Sequence, residues 1–313
     1  MKDLAAWVER FNQGNVRALS RIISWVENSN GVIPSELKPI FSRTGRAFRI
    51  GITGPPGAGK STLVDGLSML CRNESRSVGI IAVDATSPFS GGALLGDRVR
   101  MSKAGLDPDI FIRSMATRGN LGGLAEAALD AADVLDAFGK DIVILETVGV
   151  GQSEMDIARA ADSTVVVLVP ESGDGVQAMK AGLMEIGDVF VLNKADRPGS
   201  DRATEELKSA LELKDKKTAW KPPVVATIAN RGEGLTDLLD ALKAHWRTLA
   251  ETGALKEKRL NRRRERVRKV AERELRRLFW NGERTKMLEE ALKSDANPFQ
   301  VAGKLVEDFE RKK

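Results

Sequence analysis

Apolar residues in the first 46 positions recur at helical spacing. Leu4, Trp7, Val8 and Phe11 form one stripe and Leu19, Ile22, Ile23 and Val26 another, which predicts two amphipathic helices packed on a larger body. Asn28-Ser-Asn-Gly31 and Pro34 break that pattern. From Ala47 to about Ala250 short continuous apolar runs alternate with helical segments. The candidate strands are Phe48–Thr53, Val78–Val83, Ile142–Glu146, Thr164–Val169, Val189–Leu192 and Val224–Ile228. Such runs suit parallel strands buried on both faces, so the pattern predicts an α/β fold with a mostly parallel, doubly wound sheet. Beyond about Gly253 a long helix with a sparse apolar seam is expected, then a last helix, Gln300–Phe309, after the break at Asn297-Pro-Phe. The chain therefore divides into 1–46, 47–250 and 251–313: N-terminal helices, a sheet domain and a C-terminal helical arm.

Ligands in such folds collect at the carboxyl ends of the strands, and the chemical motifs fall there. The first strand runs into Gly54-Pro55-Pro56-Gly57-Ala58-Gly59-Lys60-Ser61-Thr62, which fits G-x-x-x-x-G-K-[ST]. A helix from Lys60 to Arg72, with Leu63, Leu67 and Leu70 in phase, completes the strand–loop–helix context of a P-loop NTPase. The glycines let backbone N–H groups converge on phosphate oxygens beside a helix N-terminus. Lys60 supplies charge to the outer phosphates, and the Ser61 hydroxyl is placed to ligate Mg²⁺.

Two further loops carry acids. Asp84 follows the strand 78–83 and Asp97 ends the Gly/Ser-rich run after it, the pattern of a metal-sensing switch or, for each acid alone, of an ordinary helix cap. Glu146 closes the strand 142–146 before Thr-Val-Gly149-Val-Gly151-Gln152, where the backbone must swing towards a γ-phosphate. Ser61, Asp84, Asp97 and Glu146 are the candidate metal ligands, and Lys60, Glu146 and Asp97 the candidate catalytic residues. The run Ser114-Met-Ala-Thr-Arg-Gly reads as a glycine-rich loop carrying Arg113 and Arg118, either solvated or reaching a phosphate or partner.

Asn193-Lys194-Ala195-Asp196 ends the strand 189–192. The Asp196 carboxylate can accept from guanine N1–H and the 2-amino group together. Adenine offers neither donor, and a site built to pair an N–H rejects an analogue lacking it by on the order of 10⁴–10⁵. This selects GTP over ATP. A backbone N–H for guanine O6 is assigned to Ala229 and Asn230, after the next strand.

Charge refines the picture. Residues 251–313 hold 19 Lys/Arg against 12 Asp/Glu, the rest of the chain 30 against 32, so the basic balance belongs to the arm. Lys256–Arg277 lacks the aromatic interleaving of a single-strand binder but keeps Val267, Val270, Ala271, Leu275 and Leu278 in phase. Dimerisation or effector contact is therefore preferred over RNA binding. One cysteine, Cys71, excludes an internal disulfide and is read as packing. No 18-residue uncharged apolar run and no signal-peptide pattern occur, so a cytoplasmic protein without membrane contact is expected.

Taken together, Gly54–Thr62, Val83-Asp84 with Ser90-Gly-Gly-Ala-Leu-Leu-Gly-Asp97-Arg98, Ser114–Gly119, Glu146-Thr-Val-Gly-Val-Gly-Gln-Ser-Glu154 and Asn193–Asp196 resemble the MeaB/ArgK-type G-proteins. These are GTPase chaperones of methylmalonyl-CoA mutase and related adenosylcobalamin-dependent acyl-CoA mutases. The resemblance implies GTP and GDP as ligands with Mg²⁺, a homodimer joined through the arm, and gating of cobalamin delivery to the mutase. Two stretches depart from it: Asp84-Ala-Thr-Ser87 stands where Asp-Pro-Ser-Ser is usual, and Thr227-Ile-Ala-Asn230 where a Ser-Ala form is usual. No residue offers itself as a water-positioning base, since Gln152 lies three past Gly149. Isolated turnover is expected to be slow, on the order of 10⁻⁴–10⁻² s⁻¹ as in unassisted G-proteins, and raised by the mutase. An RNA- or ribosome-bound GTPase, a GTP-dependent kinase of a transport system and a non-enzymatic adaptor are the alternatives.

Overall fold

The computed structural model describes residues 2–29, 32–84, 104–116, 126–147, 153–170, 182–212, 219–293 and 296–312. The chain forms two compact units, Met1–Arg259 and Leu260–Lys313.

In the first unit seven strands make one sheet, all pairings parallel: β1 (Phe48–Thr53), β2 (Val78–Asp84), β3 (Ile110–Ala116), β4 (Ile142–Glu146), β5 (Ser163–Leu168), β6 (Val189–Asn193) and β7 (Val224–Thr227). Their spatial order is β3-β2-β4-β1-β5-β6-β7. The order reverses around β1, with β4 on one side and β5 on the other, so the crevice of a doubly wound sheet opens at its carboxyl end. The fold class read from the apolar runs is the one observed.

Helices cover both faces. On one lie α1 (Lys2–Asn12), α2 (Val16–Asn28), a 3₁₀ segment (Ser35–Arg43) and α4 (Glu126–Phe138); on the other, α3 (Lys60–Asn73) and α8 (Leu235–Glu251). The short helices α5 (Ser153–Ala160) and α6 (Leu183–Ile186), with α7 (Ser200–Glu212), fill in around β1, β5 and β6. The N-terminal stripes are core: Leu4, Phe11, Leu19, Ile22, Ile23 and Val26 are buried with Ala128, Ala131, Ala132 and Leu135 of α4. Alanines there let α2 seat closely. The Asn15 side chain accepts from Ala18 N–H at 3.0 Å and starts α2. Cys71 is buried, and burial pushes its thiol up to about 12, so it packs and does not react.

One strand is new. Ile110–Ala116 pairs with β2 at the sheet edge, so Arg113 and Ser114–Ala116 belong to a strand and not to a loop. The apolar run is only Ile110-Phe111-Ile112, because an edge strand need not be apolar throughout. The half-buried Arg113 guanidinium donates to Glu27 Oε2 at 2.5 Å and to Ser24 Oγ at 3.1 Å, both on α2. Arg118 lies outside the described residues.

The amino-terminal edge of the sheet is closed by buried charge. Arg49 on β1 pairs with Asp133 at 2.6 Å and Asp136 at 3.0 Å. Asp136 also accepts from the N–H groups of Gly45, Arg46 and Ala47, which fixes the entry to β1. Asp162 accepts from Arg49 N–H at 3.0 Å and from Arg259 at 2.9 Å.

The second unit holds the later part of α9 (Ala254–Phe279), with α10 (Gly282–Ala291) and α11 (Pro298–Arg311). Arg284 is buried at its centre. It donates to Leu278 O and Phe279 O, pairs with Asp308 at 3.1 Å and lies 5.1 Å from the Phe309 ring. Leu260, Val267, Val270, Leu275 and Leu278 of α9 stay exposed. No helix among the described residues is long and apolar enough to cross a membrane.

Removing one member of a buried charge network strands its partners. Asp136→Ala is expected to lower unfolding stability by roughly 3–5 kcal/mol, read as a lower denaturant midpoint at unchanged slope.

Candidate functional site

β1 ends at Thr53, and the loop from Gly54 to Gly59 turns over the crevice before α3 begins at Lys60. Two of its glycines are required by shape. Gly54 has φ +137°, and a Cβ there would sit 2.0 Å from Val167 O on β5. Gly59 has φ +89°, and a Cβ there would meet Asn193 Nδ2 at 2.3 Å. Both are left-handed positions that side chains avoid. The loop is thus wedged between the ends of β5 and β6.

Lys60 is buried and folds back over the loop, donating through Nζ to Gly54 O at 2.8 Å and Pro55 O at 3.0 Å. Ser61 Oγ donates to Glu146 Oε1 at 2.7 Å, across from α3 to the end of β4. Thr147 supports that strand end, donating from its hydroxyl to Thr53 Oγ1 at 3.1 Å and from its N–H to Ile52 O at 3.1 Å. A hydroxyl against a buried carboxylate is a hard-oxygen donor pair of the kind Mg²⁺ takes, with water and phosphate oxygens completing its shell. Ser61 and Glu146 therefore fit the ion. The backbone of Asp84 ends β2, two residues past Ala82, the register partner of Glu146. Asp97, with Gly149, Gly151 and Gln152, lies outside the described residues.

On the other side of the loop Asn193 is the junction. Its Nδ2 donates to Ala58 O at 2.7 Å, and its Oδ1 accepts from Thr227 Oγ1 at 3.0 Å and Ala229 N–H at 3.1 Å. Lys194 takes φ +60° and donates through Nζ to Gly57 O at 2.8 Å. A cleft of about 210 Å³ opens here, lined by Gly59, Thr62, Asn193, Lys194, Asp196, Arg197, Ala229 and Asn230. Arg231 comes within 3.7 Å of Asp196 Oδ2.

The structure thus gathers Gly54–Thr62 with Glu146 on one side and with Asn193, Lys194, Asp196, Ala229 and Asn230 on the other. Sequence reasoning passed over Arg197, which lines the cleft directly after Asp196, and Thr53 and Thr147, whose hydroxyls show no pattern along the chain. It also left Glu154 without a role. That residue is buried, and burial raises the proton affinity of its carboxyl against the opposing field of Lys60.

Such a loop between a parallel strand and a helix N-terminus, with a lysine, a hydroxyl and a second-strand carboxylate, defines a P-loop nucleotide hydrolase. Residues 19–284 match the family described as "Methylmalonyl Co-A mutase-associated GTPase MeaB", and the chain belongs to that family of GTP hydrolases. It is 52% identical over 266 residues to a Pyrococcus abyssi protein provisionally named a GTPase, covering 84% of this chain and 82% of that one. It is 36% identical over 287 residues to the GTPase ArgK of Escherichia coli, 89% of this chain and 87% of the relative. Among solved structures, that of an LAO/AO transport system kinase superposes with a TM-score of 0.71 at 29% identity, covering 99% of this chain and 98% of that one.

Because Asn193 joins the Gly54–Gly59 loop to the cleft beside Asp196, Asn193→Ala should weaken GDP binding about 10- to 100-fold, the loss of two or three buried hydrogen bonds. Titration with a fluorescent GDP analogue measures it.

Proposed function

We propose that this protein is a GTP-gated chaperone that controls the loading and protection of cobalamin on methylmalonyl-CoA mutase or a related acyl-CoA mutase. The observation that carries the reading is the family match, whose description couples the GTPase to that mutase, together with a site built for a nucleoside triphosphate. In this reading residues 47–250 bind GTP and GDP, 1–46 brace the sheet, and 251–313 join two copies of the chain in the cytoplasm. The exposed apolar seam of α9 supports the last assignment.

Each part of the site takes one task. The loop N–H groups from Gly54 to Thr62 wrap the phosphates, and Lys60 leaves its two carbonyl acceptors for phosphate oxygens. Ser61 and Glu146, joined by Asp84 and Asp97, hold Mg²⁺, which when bound neutralises charge on the β- and γ-phosphates. Asp196 accepts the guanine N–H groups while Ala229 and Asn230 present backbone donors. Asn193 keeps both halves in register. Catalysis of this kind is mostly positioning and charge stabilisation, so turnover without the client is slow.

Two measurements test the proposal. The full-length chain, captured with a purified cobalamin-dependent mutase, should bind it with different affinity in GDP and in a non-hydrolysable GTP analogue, and should weigh as a dimer by light scattering. Equal binding in both nucleotides would remove the gate. Asp196→Asn should lower the preference for GDP over ADP by at least about tenfold while leaving the fold intact. The similar solved structure, named as a transport system kinase, supplies a second reading: transfer of phosphate to a transport protein. Release of free phosphate only, from labelled GTP, rejects it.

A further inference from the structure

The turn after β7 holds its backbone firmly. Ala229–Arg231 make a 3₁₀ turn in which Arg231 N–H donates to Ile228 O at 2.9 Å. Ile228 N–H donates to Glu233 O at 3.1 Å and closes it. Gly234 packs so tightly beneath that a Cβ there would lie 2.1 Å from Ala226 O. Asn193 grips the same turn through Ala229 N–H. The Arg231 backbone is thus fixed next to Ala229 and Asn230, which line the cleft with Asp196 and Arg197.

The Arg231 side chain is 59% exposed, and its Nη2 lies 3.7 Å from Asp196 Oδ2. That separation makes an ion pair and not a hydrogen bond. An exposed arginine held at one point does not lock a carboxylate, as the three bonds of Asn193 lock that side chain. It occupies the carboxylate instead. The chemistry of the occupant is telling. A guanidinium presents N–H donors from a planar carbon bearing three nitrogens, and so does the N1–H and 2-amino edge of guanine. One carboxylate edge takes one such fork at a time.

We propose that Arg231 tunes base specificity: its guanidinium competes with guanine for Asp196, so guanine binding displaces the Arg231–Asp196 pair. The proposal rests on the assignment of Asp196 to the guanine edge made above. The competition acts on guanine alone. Adenine offers Asp196 no fork, so an adenine nucleotide leaves the pair in place. An exposed ion pair shifts an equilibrium by about two- to fivefold, which sets the size of the effect.

Competition of GDP and millimolar ADP against a fluorescent nucleotide, on the full-length chain, decides it. Arg231→Ala should tighten GDP binding by about two- to fivefold and leave ADP binding unchanged, raising the preference for GDP by that factor. Arg231→Lys keeps the charge without the fork and should fall between wild type and Arg231→Ala. In the Asp196→Asn background, Arg231→Ala should have no effect on GDP, because the charge it pairs with is gone. An unchanged ratio of GDP to ADP affinity in Arg231→Ala overturns the proposal. So does weaker GDP binding, which would make Arg231 a nucleotide contact or a support for Asp196. Equal tightening of both nucleotides also overturns it, as a general effect on the cleft. Failure of the base assignment shows separately, as an unchanged preference for GDP in Asp196→Asn alone.

Discussion

Asn193 donates to Ala58 O and accepts from Thr227 and Ala229, and those three bonds connect the phosphate loop, the end of β6 and the turn after β7. A carboxamide with both ends occupied has one rotamer, so it transmits position as well as energy. Gly59 has no side chain because Asn193 occupies that space, and Lys194 reaches Gly57 O from the same turn. The Gly54–Gly59 loop and the cleft beside Asp196 are therefore one hydrogen-bonded assembly here.

The assembly depends on the sheet being parallel. Every strand delivers its carboxyl end to one edge, so Gly54, Glu146 and Asn193, distant along the chain, become neighbours. The opposite edge then has only strand starts to organise, and it is closed by Arg49, Asp133, Asp136, Asp162 and Arg259. Buried ion pairs add little net stability against an apolar substitute, but they fix geometry through their directional bonds. Asp136 shows this by gripping three successive N–H groups at the entry to β1. The strand that carries the phosphate loop is held at both ends.

Much of this was legible along the chain. The P-loop and the Asn193–Asp196 turn are local patterns, because phosphate wrapping and guanine pairing each need a fixed order of residues within one turn. Six of seven strands showed as apolar runs because their two buried faces exclude polar residues. β3 escaped, since an edge strand carries Arg113 and Ser114 where a central one would carry valine. Arg113 itself was read as a loop residue; its ion pair with Glu27 lies 86 residues back in the chain, where no spacing rule reaches.

By itself the sequence determined the class: a parallel α/β fold written in its apolar runs, and a P-loop and an Asn-Lys-x-Asp turn each written in a contiguous motif. Tertiary structure alone decided which acids are structural. In the sequence Asp65, Asp136 and Asp162 look no different from the exposed acids, and burial and hydrogen-bond supply set them apart. Those quantities are set by neighbours far away in sequence, brought close only when the sheet closes.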